Sequence, residues 1–131
     1  MGIYGRGSRA WRHPLTYAVA LENIEANYAE MEPIYRLHYA AMRERLAESG
    51  VGLSDYNPRR RQYFDANNEG WLLHFVLRSD GQAVGYSNIY LTNDMHNGDL
   101  IAQEDTIYVL PDHRNGSGRL LARFVHQELK A

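Results

Sequence analysis

Apolar positions change their period several times along the chain. Leu15, Tyr17, Val19 and Leu21 fall on one side of an alternating pattern, which predicts a first strand within "LTYAVALENI". From about Glu30 to Ala47 the period becomes helical, with Met31, Ile34, Tyr35, His38, Met42 and Leu46 in one stripe. Such a stripe is core packing, and Gly50 in "ESGVG" supplies the stop. The polar stretch "LSDYNPRRRQYFDANNEG" follows, and its proline can open a short helix that carries Tyr63 and Phe64 inward. Arg59, Arg60 and Arg61 read as a solvated face, with the rim of a cleft as the alternative.

"WLLHFVLRSDGQAVGYSNIYL" is the clearest hairpin signal, because two β-rich runs flank Asp80-Gly81, a dipeptide suited to turns with positive φ. A polar loop, "TNDMHNGD", leads into the strand "LIAQEDTIYVL". Strict alternation there puts Ile101, Gln103, Asp105, Ile107 and Val109 on one face, and Ala102, Glu104, Thr106, Tyr108 and Leu110 on the other. A last helix, about Ser117 to Lys130, turns Leu120, Leu121, Phe124, Val125 and Leu129 to the core. The resulting order, β, α, short α, β, β, β, α, predicts a mixed α/β (α+β) domain around an antiparallel meander. Residues 1–13 read as a flexible basic arm (Arg6, Arg9, Arg12) and 14–131 as a single domain.

Composition narrows the function classes. A chain of 131 residues with 44% hydrophobic positions can bury one core. A net charge of −2 offers no bulk field for nucleic acid. The absence of cysteine removes disulfides, thiolate metal sites and a Cys nucleophile. The six histidines show no ligand spacing, so no metal site is expected, and no Gly-x-Ser-x-Gly elbow is present. No apolar run is long enough to span a bilayer and no secretion signal opens the chain, so a cytoplasmic protein is the default expectation.

The stretch that carries chemistry is "YVLPDHRNGSGRLLARF". A strand that ends in a glycine-bearing loop and then a helix gathers unpaired backbone N–H groups at the positive end of a helix dipole. That is an anion site in outline, and glycines at 116 and 118 let a phosphate approach without a Cβ in the way. Arg114 and Arg119 add charge on either side. Without further support, an ordinary strand-to-helix turn explains the glycines as well.

With its neighbours, this loop resembles the acyl-CoA-binding motif of the GNAT N-acetyltransferase superfamily, Gln/Arg-x-x-Gly-x-Gly/Ala. The resemblance covers about Leu15 to Lys130, and "AQEDTIYVLPDHRNG" with "LLARF" is similar to a phage- and prophage-associated branch. It implies an acetyl-CoA co-substrate, a primary-amine acceptor, direct attack on the thioester and a GNAT-like mixed sheet. By resemblance, His113, Arg114, Asn115, Gly116, Ser117, Gly118 and Arg119 would meet the pyrophosphate, and Ile107, Tyr108 and Val109 the pantetheine. Two departures stand out. With Arg114 in the motif's basic position the glycines come one place early, and with His113 there the spacing is right but the basic residue is a histidine. The family also continues into a fifth strand and beyond, whereas this sequence stops at Ala131, so a truncated form lacking the C-terminal strands is the expectation. An uncovered fourth strand then invites a homodimer.

Acetyl transfer needs an unprotonated amine, hence a base. Glu104 and Asp105 lie mid-strand in an apolar context, and Glu104 is the first candidate with Asp105 second. Tyr86, Tyr90 and His96 are candidate substrate contacts, against the plainer readings of strand packing and an incidental loop histidine. His74, in a run of apolar residues, reads as a satisfied core histidine. Two further readings remain open: a degenerate, non-catalytic interaction domain, and a fragment of a longer acetyltransferase.

Overall fold

The computed structural model describes residues 16–130, so the expected basic arm over residues 1–13 lies outside the described residues. Strand β1 (Tyr17–Leu21) is followed by helices α1 (Ile24–Ala47) and α2 (Arg60–Glu69), then by strands β2 (Leu72–Ser79), β3 (Gln82–Asn93) and β4 (Leu100–Val109) and the last helix α3 (Ser117–Lys130). The strands form one antiparallel sheet in the order β1-β2-β3-β4. This is the mixed α/β meander expected from the sequence. Among the described residues, no helix is long and apolar enough to cross a membrane.

α1 starts earlier than its apolar stripe indicates, at Ile24 rather than near Glu30. Asn23 caps it, its Oδ1 accepting from Ala26 N–H at 2.9 Å. The Asn67 side chain then ties three element ends together. Its Oδ1 accepts from Ile24 N–H (2.9 Å) and its Nδ2 donates to the Leu72 carbonyl (2.9 Å). The strand-like alternation hid this start, because Ile24 continues the apolar run while serving as the first helical residue. At the other end, Gly50 (φ +81°) stops the helix as expected, and Val51 N–H closes back to the Leu46 carbonyl.

Asp80 (φ +50°) and Gly81 (φ +88°) make the two-residue turn of the β2–β3 hairpin, with Ser79 opposite Gln82. One sheet face packs on α3 through Phe75, Leu77, Val84, Ile89, Val109, Leu121 and Val125. The other packs on α1 and α2, where Met31, Ile34, Val76 and Tyr86 form one cluster and Ile24, Ala66 and Leu72 another. Arg78 clamps the β1 end to α1. Its guanidinium donates to both carboxylate oxygens of Glu22 (2.8 and 2.8 Å), to both of Glu30 (2.8 and 2.9 Å) and to the Gly81 carbonyl.

β4 departs from strict alternation. Asn88 pairs with Thr106 but Ile89 pairs with Glu104, so Asp105 is the extra residue of a β-bulge. The bulge shifts everything before it to the opposite face from the one the alternation predicted. Glu104 and Ala102 share the α3-side face of Ile107 and Val109, while Gln103 sits across from Tyr90 on the α1/α2 side. β3 approaches β4 closely just past the bulge. A Cβ on Gly85 would lie 2.7 Å from the Tyr108 carbonyl oxygen, which only glycine allows.

Candidate functional site

The bulge frees Asp105 from the ladder and presents it beside tyrosines. Partial burial raises the Asp105 carboxyl above its usual value, although the residue keeps an open face to solvent. The Tyr90 hydroxyl is pushed up to about 12, chiefly by burial, with Tyr63 and the Asp105 charge adding to it. Tyr63 and Tyr86 are raised as well, first by burial and then by neighbouring charges that include Asp105. These phenols therefore remain protonated at neutral pH. Next to Asp105 lies a cavity of about 280 Å³ lined by Trp71, Tyr90, Thr92, Gln103, Glu104 and Asp105 itself. A larger hollow of about 380 Å³ lies against α1, between Arg36, Tyr39, Arg43 and Tyr56. None of its lining residues comes from the sheet, and Arg43 is already paired with Asp55 at 3.0 Å.

Above the bulge, His38 of α1 joins the sheet. Its ring stacks on Tyr108 (centroids 4.8 Å apart, planes at 18°), and its Nδ1 meets the Tyr86 hydroxyl at 2.6 Å. Burial lowers the His38 pKa and raises that of Tyr86, so the contact joins a neutral imidazole to a neutral phenol. His38 stood in the helical stripe as core; the legible signal was a titratable ring at a position that costs free energy to bury. His74 fits its sequence reading. It is fully buried, with Nδ1 at 2.7 Å from Asn88 Oδ1 and Nε2 at 3.3 Å from the Tyr35 hydroxyl.

The loop after β4 is built around free donors. His113 and Arg114 N–H close a 3-10 turn (Pro111–His113) onto Leu110 and Pro111, and the first α3 bonds run from Arg119 and Leu120 N–H to the Gly116 carbonyl. Among the described residues, the N–H groups of Asn115, Gly116, Ser117 and Gly118 donate to no backbone carbonyl. Gly116 sits at φ +103°, and a Cβ there would meet nothing within 4 Å, so the constraint is conformational while the space in front stays open.

The side chains of this loop divide by task. The His113 ring turns to β1, its Nδ1 3.0 Å from the Tyr17 hydroxyl, which also accepts from Asn115 Nδ2 at 3.3 Å. The Ser117 hydroxyl donates to the His113 carbonyl. Arg114 folds back so that Nε donates to the Val109 carbonyl at 2.8 Å and its guanidinium lies 5.2 Å from the Tyr108 ring centroid. Arg119 is exposed in the first turn of α3.

Most sequence-selected residues thus gather along one line. Asp105, Tyr86 and Tyr90 flank the bulge, Ile107 to Val109 continue the strand, and His113 to Arg119 form its loop. Glu104 is exposed at the cavity wall. His96 is not brought to this line; its N–H and Nδ1 both engage Asp94 Oδ1 within the β3–β4 loop, at 2.6 and 3.2 Å.

Comparison with known folds supports the same organisation. The structure superposes on the ribosomal-protein-alanine N-acetyltransferase of Brucella melitensis biovar Abortus 2308 with a TM-score of 0.64 at 21% identity, covering 88% of this chain and 72% of that one. For an aminoglycoside acetyltransferase from an uncultured soil metagenomic sample the values are 0.61, 15%, 86% and 68%. For the aminoglycoside N-acetyltransferase AAC(6')-Iy, solved in complex with CoA, they are 0.61, 16%, 90% and 72%. No curated protein sequence matches the chain. The sequence model of one family matches residues 31–131, from within α1 through β2, β3, β4 and the loop to α3, and on that match the chain belongs to the Acetyltransferase (GNAT) family.

Proposed function

We propose that this chain transfers an acyl group from acyl-CoA, in the first instance acetyl-CoA, to a primary amine. The observation that carries the proposal is the run of four N–H groups, Asn115 to Gly118, that have no partner among the described residues, where the loop after an edge strand enters α3. Donors and dipole together suit a pyrophosphate. Two further features fit the rest of such a donor. β4 pairs only with β3 among the described residues, which leaves outward backbone groups along Ile107 to Val109, other than the Val109 carbonyl already taken by Arg114, for a pantetheine arm. The buried Thr106 Oγ1 next to the bulge has no partner.

Acetyl-CoA supplies a thioester open to attack by nitrogen. The residues of the chain supply position and proton transfer. Asp105, with a raised pKa and an open face, takes the proton from the attacking amine, while Glu104, one residue away, sits at a register position on the opposite, α3-side face. The amide C–N bond forms as the C–S bond breaks, and the proton removed from nitrogen matches the one the departing thiolate needs. The neutral His38–Tyr86 pair holds Tyr108 in place beneath the donor.

The test is release of free thiol from acetyl-CoA in the presence of amines. Asp105→Asn should lower kcat by about 10²–10⁴-fold, the usual contribution of a positioned base. Equal rates with and without Asp105 would remove it from this role.

β4 also supports a second reading of its edge. Leu100 (70% exposed), Ile101 and Ile107 present apolar side chains along it, as a protein-contact strand would. In this reading two copies pair edge to edge, and sedimentation with and without acetyl-CoA would show whether donor and second copy compete.

A further inference from the structure

The cavity of about 280 Å³ below the bulge has a one-sided chemistry. The Asp105 carboxylate and two aromatic rings, Trp71 and Tyr90, contribute to its wall, with Glu104, whose register position is on the α3-side face, at its rim; no Lys, Arg or His lines it. The rings lie 5.8 Å apart at 32°, and the Trp71 indole N–H is anchored on Glu69 Oε1 at 3.2 Å, which adds a third carboxylate outside. Trp71 is 46% exposed, so the fold does not consume its surface.

We infer that this cavity selects the acceptor: a compact primary amine on an apolar or aromatic body, without a carboxylate beside the amine. Carboxylates attract the ammonium form and the ring faces add cation–π and stacking contact. The same carboxylates repel an α-carboxylate, and no cation in the wall compensates. Its volume lies just under the usual range of small-molecule sites, about 300–1,000 Å³, which favours a single ring over a multi-ring sugar. The inference takes the acyl-transfer reading for its meaning, because the amine held here lies against the residue proposed as base.

Tyramine and tyrosine form the matched test pair, since they share ring and amine and differ by one carboxylate. Each is titrated into the full chain without acetyl-CoA, and kcat/KM is then measured for both. Tyramine should bind more tightly and react faster than tyrosine by at least about tenfold. In the binding titrations, Asp105→Asn should narrow that ratio to less than about threefold, roughly 0.7 kcal/mol. Trp71→Ala should weaken tyramine binding without removing the preference. Equal affinity for the pair, no binding of either, or a Trp71→Ala variant that binds tyramine unchanged would overturn the inference. Selective tyramine binding without any acetyl transfer would leave the pocket assignment standing and sink the transferase reading. Transfer to tyrosine as fast as to tyramine would do the reverse.

Discussion

The imidazole of His38 lies flat on the ring of Tyr108, 4.8 Å between centroids, and so couples the long first helix to the strand that carries the bulge. Tyr108 also receives the Arg114 guanidinium from the loop. One side chain of β4 therefore links helix, strand and the loop that follows it, and the position of the loop depends on packing some distance from it.

That linkage makes a pH prediction. Burial lowers the pKa values of His38 and His74 below 6.5, so the folded state binds fewer protons than the unfolded state. Stability from these neutral rings is complete above about pH 6.5 and is lost as pH falls through the lowered values. The melting temperature should decline on acidification from pH 7 to 5, and His38→Gln should decline less. Parallel profiles would contradict the account.

The Arg78 clamp acts in a lower window. Its hydrogen bonds hold the Glu22 and Glu30 carboxyls below their usual value of 4.5. Their contribution is present above the unfolded value and disappears as pH falls through the lowered ones. Arg78→Ala should cost about 1–3 kcal/mol near pH 7, since it strips charge-assisted bonds from the half-buried Glu22 carboxylate as well as from the exposed Glu30. Denaturant titrations should show this gap closing below about pH 4.

Gly85 tests the close approach of β3 to β4. Gly85→Ala places a Cβ against the Tyr108 carbonyl, where backbone has to move. A loss of about 1–3 kcal/mol is expected, with a change in tyrosine fluorescence as Tyr108 shifts. A variant as stable as the parent would show that the strands can separate freely there.

Much of this fold is legible in the sequence, for identifiable reasons. The Asp80-Gly81 turn and the Gly50 stop are local, because each residue's own conformational preference decides the outcome. The start of α1 was hidden because Asn23 sits inside a strand-like alternation, and its supporting partner Asn67 is far away in sequence. The bulge at Asp105 leaves no mark on the pattern, since one extra residue in an apolar strand changes pairing without changing composition. His38 was masked by its own helix: the stripe that buries it also presents it to Tyr86 and Tyr108.

The most direct test of the central claim is calorimetric titration with acetyl-CoA, using the parent chain, Gly116→Val and Arg119→Glu. Valine is strained at φ +103° and should displace the unpaired donors, while the charge reversal leaves the loop backbone intact. The account predicts micromolar binding by the parent, weakened at least about tenfold by either change. No binding by the parent chain, or binding indifferent to both substitutions, would make the loop a turn and not a phosphate cradle.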